Sequence, residues 1–133
     1  MITNILILCV NVNIDIDWFE FERVYFKEIN KYIDFTIGKN DKDNFDIIDK
    51  ANSDDIWFHL NNYPSCHVIA SINDIMKKKA LRYIIKKGAL LCKENSKYKS
   101  EKDLSIIYTT IKNVKKIEKV GSVITTNTKI ILV

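Results

Sequence analysis

The sequence is poor in residues that break or loosen a fold. It has three glycines and one proline in 133 residues, which excludes a collagen-like or Pro/Gly-rich chain. It has four alanines and two arginines, Arg23 and Arg82, against 23 isoleucines, 19 lysines and 13 asparagines. That exchange looks like the codon bias of an AT-rich genome, so lysine in place of arginine is weak evidence about function. The three cysteines, Cys9, Cys66 and Cys92, form no C-x-x-C pair. Neither a disulfide framework nor a zinc site is indicated, and buried thiols in a reducing compartment are the reading. No apolar run approaches the length of a membrane span. Ile5–Val10 lacks the basic flank and cleavage site of a signal peptide. A soluble cytoplasmic protein without a membrane partner is expected. Gly38-Lys39-Asn40 lacks the pattern of a nucleotide phosphate loop and reads as a turn. Asp41, Asp43, Asp46 and Asp49 lack calcium-loop spacing. No cofactor and no metal are expected.

What is present is a foldable chain. Hydrophobic residues make up 47%, too many for disorder. The length suits one core, and no repeat or linker divides the chain, so residues 1–133 are expected to form a single domain. The net charge of +4 hides an asymmetry: residues 1–60 carry 12 acidic and 6 basic side chains, residues 61–133 carry 5 and 15. The net charges are therefore −6 and +10. Such a split points to an anionic partner such as nucleic acid. It reads equally as a solvated Lys-rich surface.

Val10, Val12, Ile14 and Ile16 alternate with polar residues, the period of a strand with one buried face. Val24–Phe26 and Tyr32–Ile37 read as strands of a hairpin. The piece Phe45–Ala51 suits a short helix. Ile56–Leu60 and Cys66–Ala70 read as strands joined by the turn Asn61–Ser65. From Ser71 the period changes: Ile72, Ile75, Met76, Ala80, Tyr83, Ile84 and Leu91 predict a helix over about 72–93, with Ser71 and Asp74 as its capping pair. Gly88 inside it permits close packing. Residues 93–103 read as a Lys-rich loop and Leu104–Tyr108 as a strand. Thr109–Lys119 is a basic connection, and Val120–Thr125 with Thr128–Val133 a terminal hairpin turning near Asn127. The expected fold class is α+β, a small antiparallel or mixed sheet with one main helix packed on it.

Two groups of side chains carry chemistry. Strand alternation puts Trp57 and His59 on one face, and pairing across the Tyr63-Pro64 turn makes His59 and His67 neighbours. Two histidines make a poor metal site without a third ligand. Cys66 adjoins His67, but consecutive strand residues face opposite sides, so nucleophilic catalysis lacks its pair and no enzyme is expected. Aromatic and His side chains beside lysines stack bases or hold phosphates, or they are core aromatics with a hydrogen-bonded buried His. The second group is basic: Lys78, Arg82 and Lys86 four apart on the helix, then Lys93, Lys97, Lys99, Lys112, Lys115, Lys116 and Lys119, with Tyr98 and Tyr108 interleaved. Lysine contacts with phosphate are independent of sequence and sensitive to salt.

Five segments in order carry a resemblance: Ile-Gly-Lys-Asn-x-x-x-Asn (37–44), Asp-Ile-Trp-Phe-His (55–59), Pro-Ser-x-His-Val (64–68), Ile-Tyr-Thr (107–109) and Val-Gly-Ser-Val (120–123). Together they resemble the NFACT-R domain over about residues 24–133, with residues 1–23 as an added N-terminal strand segment. The family's Gly-Arg-Asn falls on Gly38-Lys39-Asn40, so lysine stands where arginine is usual. The resemblance implies an α+β domain that binds RNA. In full-length relatives it helps engage tRNA and the large ribosomal subunit while stalled nascent chains are tailed, part of ribosome-associated quality control. Tail synthesis by this chain alone is not expected, because nothing here matches the modules that precede the domain in those relatives. The implied nucleic-acid contacts are Lys39, Asn40, Trp57, His59, His67, Lys78, Arg82, Lys86, Lys97, Tyr108, Lys115 and Lys116. The other readings are a protein-interaction domain docking on ribosomal or quality-control factors, and a DNA-binding module. The N-terminal strand is the expected route of any self-association.

Overall fold

The structure, a computed structural model, describes residues 20–73 and 76–133. The strand expected within residues 5–17, with the self-association assigned to it, and the capping role of Asp74 lie outside the described residues.

The chain opens with a hairpin, as its aromatic and β-branched runs predict. Strands β1 (Glu20–Phe26) and β2 (Lys31–Gly38) pair antiparallel from Glu20 opposite Ile37 to Phe26 opposite Lys31. Helix α1 (Asp41–Lys50) follows, then β3 (Ile56–Leu60), β4 (His67–Ala70) and helix α2 (Lys78–Glu94). After α2 come β5 (Ser105–Thr110), β6 (Val114–Lys116), β7 (Val123–Thr125) and β8 (Lys129–Leu132). Six strands form one sheet in the order β1-β2-β4-β3-β5-β8, every pair antiparallel, while β6 and β7 form a separate two-stranded ribbon.

The central strands are apolar on both faces, because both faces are covered. On one face Phe35, Ile37, Phe58, Leu60, Val68 and Ile106 pack against Ile84, Leu91 and Cys92 of α2. On the other, Trp57 and Ile69 pack against Ile47 and Ile48 of α1 and Val114 of the ribbon. The period of two along β3 divides its side chains between these layers. The α+β architecture with α2 as the main helix is therefore as the sequence predicts.

Two helix starts and the C-terminal pairing differ. Helix α2 begins at Lys78, not near 72. The Ser71 amide donates to the Asp34 carbonyl and the Ile72 amide to Asp55 Oδ1 at 2.8 Å, which keeps this stretch extended beyond β4. Ile72 and Met76 still reach the α2-side core without being helical. Helix α1 begins at Asp41, earlier than the apolar pattern suggests, because Asn40 Oδ1 accepts the Asp43 amide at 2.8 Å and caps it. The terminal hairpin is absent. Strand β7 pairs with β6, and β8 pairs with β5. The expected basic connection is correspondingly shorter: β5 runs on to Thr110, and a 3-10 turn at Ile111–Asn113 leads into β6. Asn127, with φ of 51°, does turn the chain. Thr109 Oγ1 lies at hydrogen-bond distance from the carbonyls of Thr126 (3.0 Å) and Asn127 (3.2 Å) and anchors that corner to β5.

Candidate nucleic-acid interface

The turn between β3 and β4 brings Trp57, His59 and His67 together, as strand alternation predicts. Trp57 Nε1 donates to His67 Nδ1 at 3.0 Å. His59 stacks on Trp57 with ring centroids 5.6 Å apart and stands nearly perpendicular to His67 at 5.0 Å. These bonds fix both tautomers. His67 accepts on Nδ1, so its proton is on Nε2. His59 lies 2.6 Å from the Leu60 carbonyl through Nδ1, so Nδ1 carries the proton and Nε2 is an acceptor. Burial pushes the His67 imidazolium pKa down to about 3, with a smaller push from His59. Burial also lowers the pKa of His59, partly opposed by its bond to Leu60. Both rings favour the neutral form.

The residues around them are structural supports. Asn44 is buried on α1, and its Oδ1 accepts the His67 amide at 3.3 Å. Gly38 makes room for it: a Cβ there would lie 2.5 Å from Asn44 Oδ1. Asp55 is buried and accepts the amides of Asn52 and Ile72, both at 2.8 Å.

A cleft of about 550 Å³ opens at this cluster, floored by Trp57, His59 and His67 and rimmed by the Asn61–Ser65 turn and by Lys119–Val123. All five segments that carry the resemblance contribute lining: Asn44, the Trp57–His59 pair, Pro64 with His67, Ile107, and the Val120–Val123 stretch. Asn61, Tyr63 and Ser122 line the cleft outside the expected contacts, and Lys119 was expected only as a member of the basic group. The Val-Gly-Ser-Val segment was the available pointer to Ser122.

The remaining expected contacts are elsewhere. Lys78, Arg82 and Lys86 are exposed on α2, which covers the opposite face of the sheet. Tyr108 also faces that side, its ring 6.1 Å from Phe58. Lys97 lies in the loop after α2, beside Tyr98, which stacks on Tyr63 with centroids 4.5 Å apart. Lys39 pairs with Glu20 at 2.9 Å. Lys116 pairs with Asp49 at 2.5 Å and sits 5.0 Å from the centre of the Phe45 ring. Both ends of the Asn40 amide are used by the cap, since Nδ2 donates to Asp43 Oδ2 at 2.9 Å. Lys115 is exposed on the ribbon. The expected residues thus form two surfaces, not one.

Helix α2 is the more charged of the two. Lys77, Lys78, Lys79, Arg82, Lys86 and Lys87 form no ion pair among the described residues. The first turn has no acidic residue, and Lys77 makes no side-chain cap bond. Among the described residues no group of three His, Cys, Asp or Glu side chains gathers to hold a metal, and no helix is long and apolar enough to cross a membrane.

The fold has a solved counterpart. The C-terminal structure of the fibronectin/fibrinogen-binding protein from Streptococcus suis matches with a TM-score of 0.70 and 22% identity, over 92% of this chain and 48% of that one. The present chain thus spans about half the length of that structure. No curated protein matches the chain. The NFACT protein RNA binding domain matches residues 22–131, most of the chain and all five motif segments. A nucleic-acid-binding module is the function that family describes, and by this match the chain belongs to the NFACT RNA-binding domain family.

Proposed function

We propose that this module binds RNA in the cytoplasm, on tRNA or the large ribosomal subunit, in translation quality control, and that α2 meets the phosphate backbone. The observation that carries this is the run of cations Lys77, Lys78, Lys79, Arg82, Lys86 and Lys87, none of which forms an ion pair among the described residues. Cations at a helix N-terminus oppose the macrodipole at a cost of about 0.3–1 kcal/mol each. Lys77, Lys78 and Lys79 are exposed, so packing does not require them there. A bound polyanion offsets that cost and uses the free amides of the first turn as well.

The test is a mobility-shift titration with tRNA, single-stranded DNA and double-stranded DNA at two salt concentrations. Retardation of tRNA that weakens steeply with salt is expected. No binding at low salt overturns the reading, and equal affinity for DNA turns it into a general nucleic-acid module. One feature favours protein docking instead: Ile130 and Leu132 of β8 are 56% and 59% exposed on a strand at the end of the sheet order. Ribosomal or quality-control proteins that stay bound after nuclease treatment in a pull-down would support that second reading.

A further inference from the structure

The cleft and the α2 cations differ in chemistry. Lys119 is the one lysine among the cleft's lining residues, and the carboxylate of Asp41 also lines it. A phosphate finds little net charge there. The volume falls in the range of about 300–1,000 Å³ that suits a small-molecule-sized group. The floor is a pair of imidazoles with complementary free edges. The His67 ring presents an N–H at Nε2, and the His59 ring presents a lone pair at Nε2. Neither Nε2 has a protein partner among the described residues. No buried side-chain nitrogen or oxygen of the described residues is unpartnered, so both Nε2 atoms reach open space, and both rings line the cleft.

A donor beside an acceptor, fixed on two strands, matches a group that both accepts and donates through one oxygen. A hydroxyl does so; a phosphate oxygen or a carbonyl only accepts. In nucleic acid the 2′-hydroxyl is the group that separates RNA from DNA. Trp57 is buried, so its ring is not open to a base. Tyr63 at the rim is 44% exposed and already stacked on Tyr98, which leaves ring surface for an unstacked base.

We infer that the cleft holds one nucleoside of a bound RNA, its 2′-hydroxyl accepting from His67 Nε2 and donating to His59 Nε2, with its base toward Tyr63. This rests on the RNA-binding reading and adds to it a residue-level basis for preferring RNA to DNA. The bond from Trp57 fixes the donor, and the Leu60 carbonyl fixes the acceptor. Neutral rings keep the acceptor available at pH 7.

The test compares three oligonucleotides of one sequence, in RNA, DNA and 2′-O-methyl RNA form, by fluorescence anisotropy at low salt. The wild-type protein should bind RNA about tenfold more tightly than the other two, the weight of about one good hydrogen bond to a buried partner. His59→Asn keeps a donor near the Nδ1 position and deletes Nε2. It should lose the RNA preference, and an unchanged circular-dichroism spectrum reports that it is folded. His59→Gln, whose amide reaches the Nε2 position, should recover part of the preference. Equal wild-type affinity for RNA and DNA overturns the inference and leaves a general nucleic-acid module, and a preference that survives in His59→Asn overturns the inference and leaves the RNA-binding reading standing. Failure of the wild type to bind any of the three overturns both.

Discussion

Gly88 of α2 lies directly over Phe58 of β3: a Cβ added to Gly88 would stand 2.3 Å from two atoms of the Phe58 ring. Two effects of Gly88→Ala oppose each other. Alanine favours the helix by about 1 kcal/mol, whereas forcing a methyl into a packed core costs about 1–3 kcal/mol. Phe58 is fully buried and cannot swing aside, so the steric cost wins. With two ring atoms at 2.3 Å the steric cost falls at the upper end of that range, so urea denaturation should show a net loss of about 1–2 kcal/mol, and an unchanged or raised midpoint would refute this contact.

Asn44 supports the floor of the cleft from below. Asn44→Ala removes the acceptor of the buried His67 amide and should cost about 1–3 kcal/mol. Hydrogen exchange at the His67 amide should accelerate more than at its neighbours in β4.

Acid should weaken the fold through His67. Its folded-state pKa, about 3, lies below the ordinary value of 6.5. Between these values the unfolded chain binds the extra proton, so stability is complete above pH 6.5 and falls as pH drops. The slope attains about 1.4 kcal/mol per pH unit for one proton. Carboxylates add their share mainly below pH 5, and His59, whose pKa burial also lowers, adds to the interval from 6.5 to 5, so the His67 share is read by comparison with a variant. Thermal melts of His67→Asn should be flatter there than those of the wild type.

Lys78 should give effects of opposite sign on stability and binding. Lys78→Glu places an acid in the first turn of α2 and should raise stability by about 0.3–1 kcal/mol. It should also weaken RNA binding and reduce the salt slope by about one phosphate contact. A variant that gains stability with no loss of affinity would remove α2 from the interface.

Asn40 should separate from the lysines. Asn40→Ala deletes the α1 cap at a cost of about 0.5–2 kcal/mol. Once folded, it should retain RNA affinity, because its side chain is bonded to Asp43 at both ends.

The Trp57, His59 and His67 group was readable because two rules suffice for it: alternation along a strand and a short turn between neighbours. The start of α2 was not readable. Ile72 and Met76 fall on the helical period yet reach the core from outside the helix, and for Ser71 and Ile72 the distant partners Asp34 and Asp55 decide this. The C-terminal pairing fails for the same reason. Gly121 and Asn127 each mark a turn, but local sequence does not show that Thr109 holds Asn127 against β5. The two oppositely charged halves could be counted but not placed. Lys112 with Asp54 and Lys116 with Asp49 join them across the ribbon side, while Lys78, Arg82 and Lys86 of α2 form no ion pair among the described residues.

With charge on one side of the sheet and the cleft on the other, the length of the nucleic acid becomes a variable. Six strands at a spacing of about 4.8 Å make a sheet about 25 Å wide. A single strand that serves both surfaces has to travel a comparable contour round the sheet, several nucleotides of it touching neither. If both surfaces bind as proposed, short oligomers should occupy one surface at a time, with a second oligomer filling the other. Longer strands tether themselves, and their affinity climbs with length once the gap can be bridged.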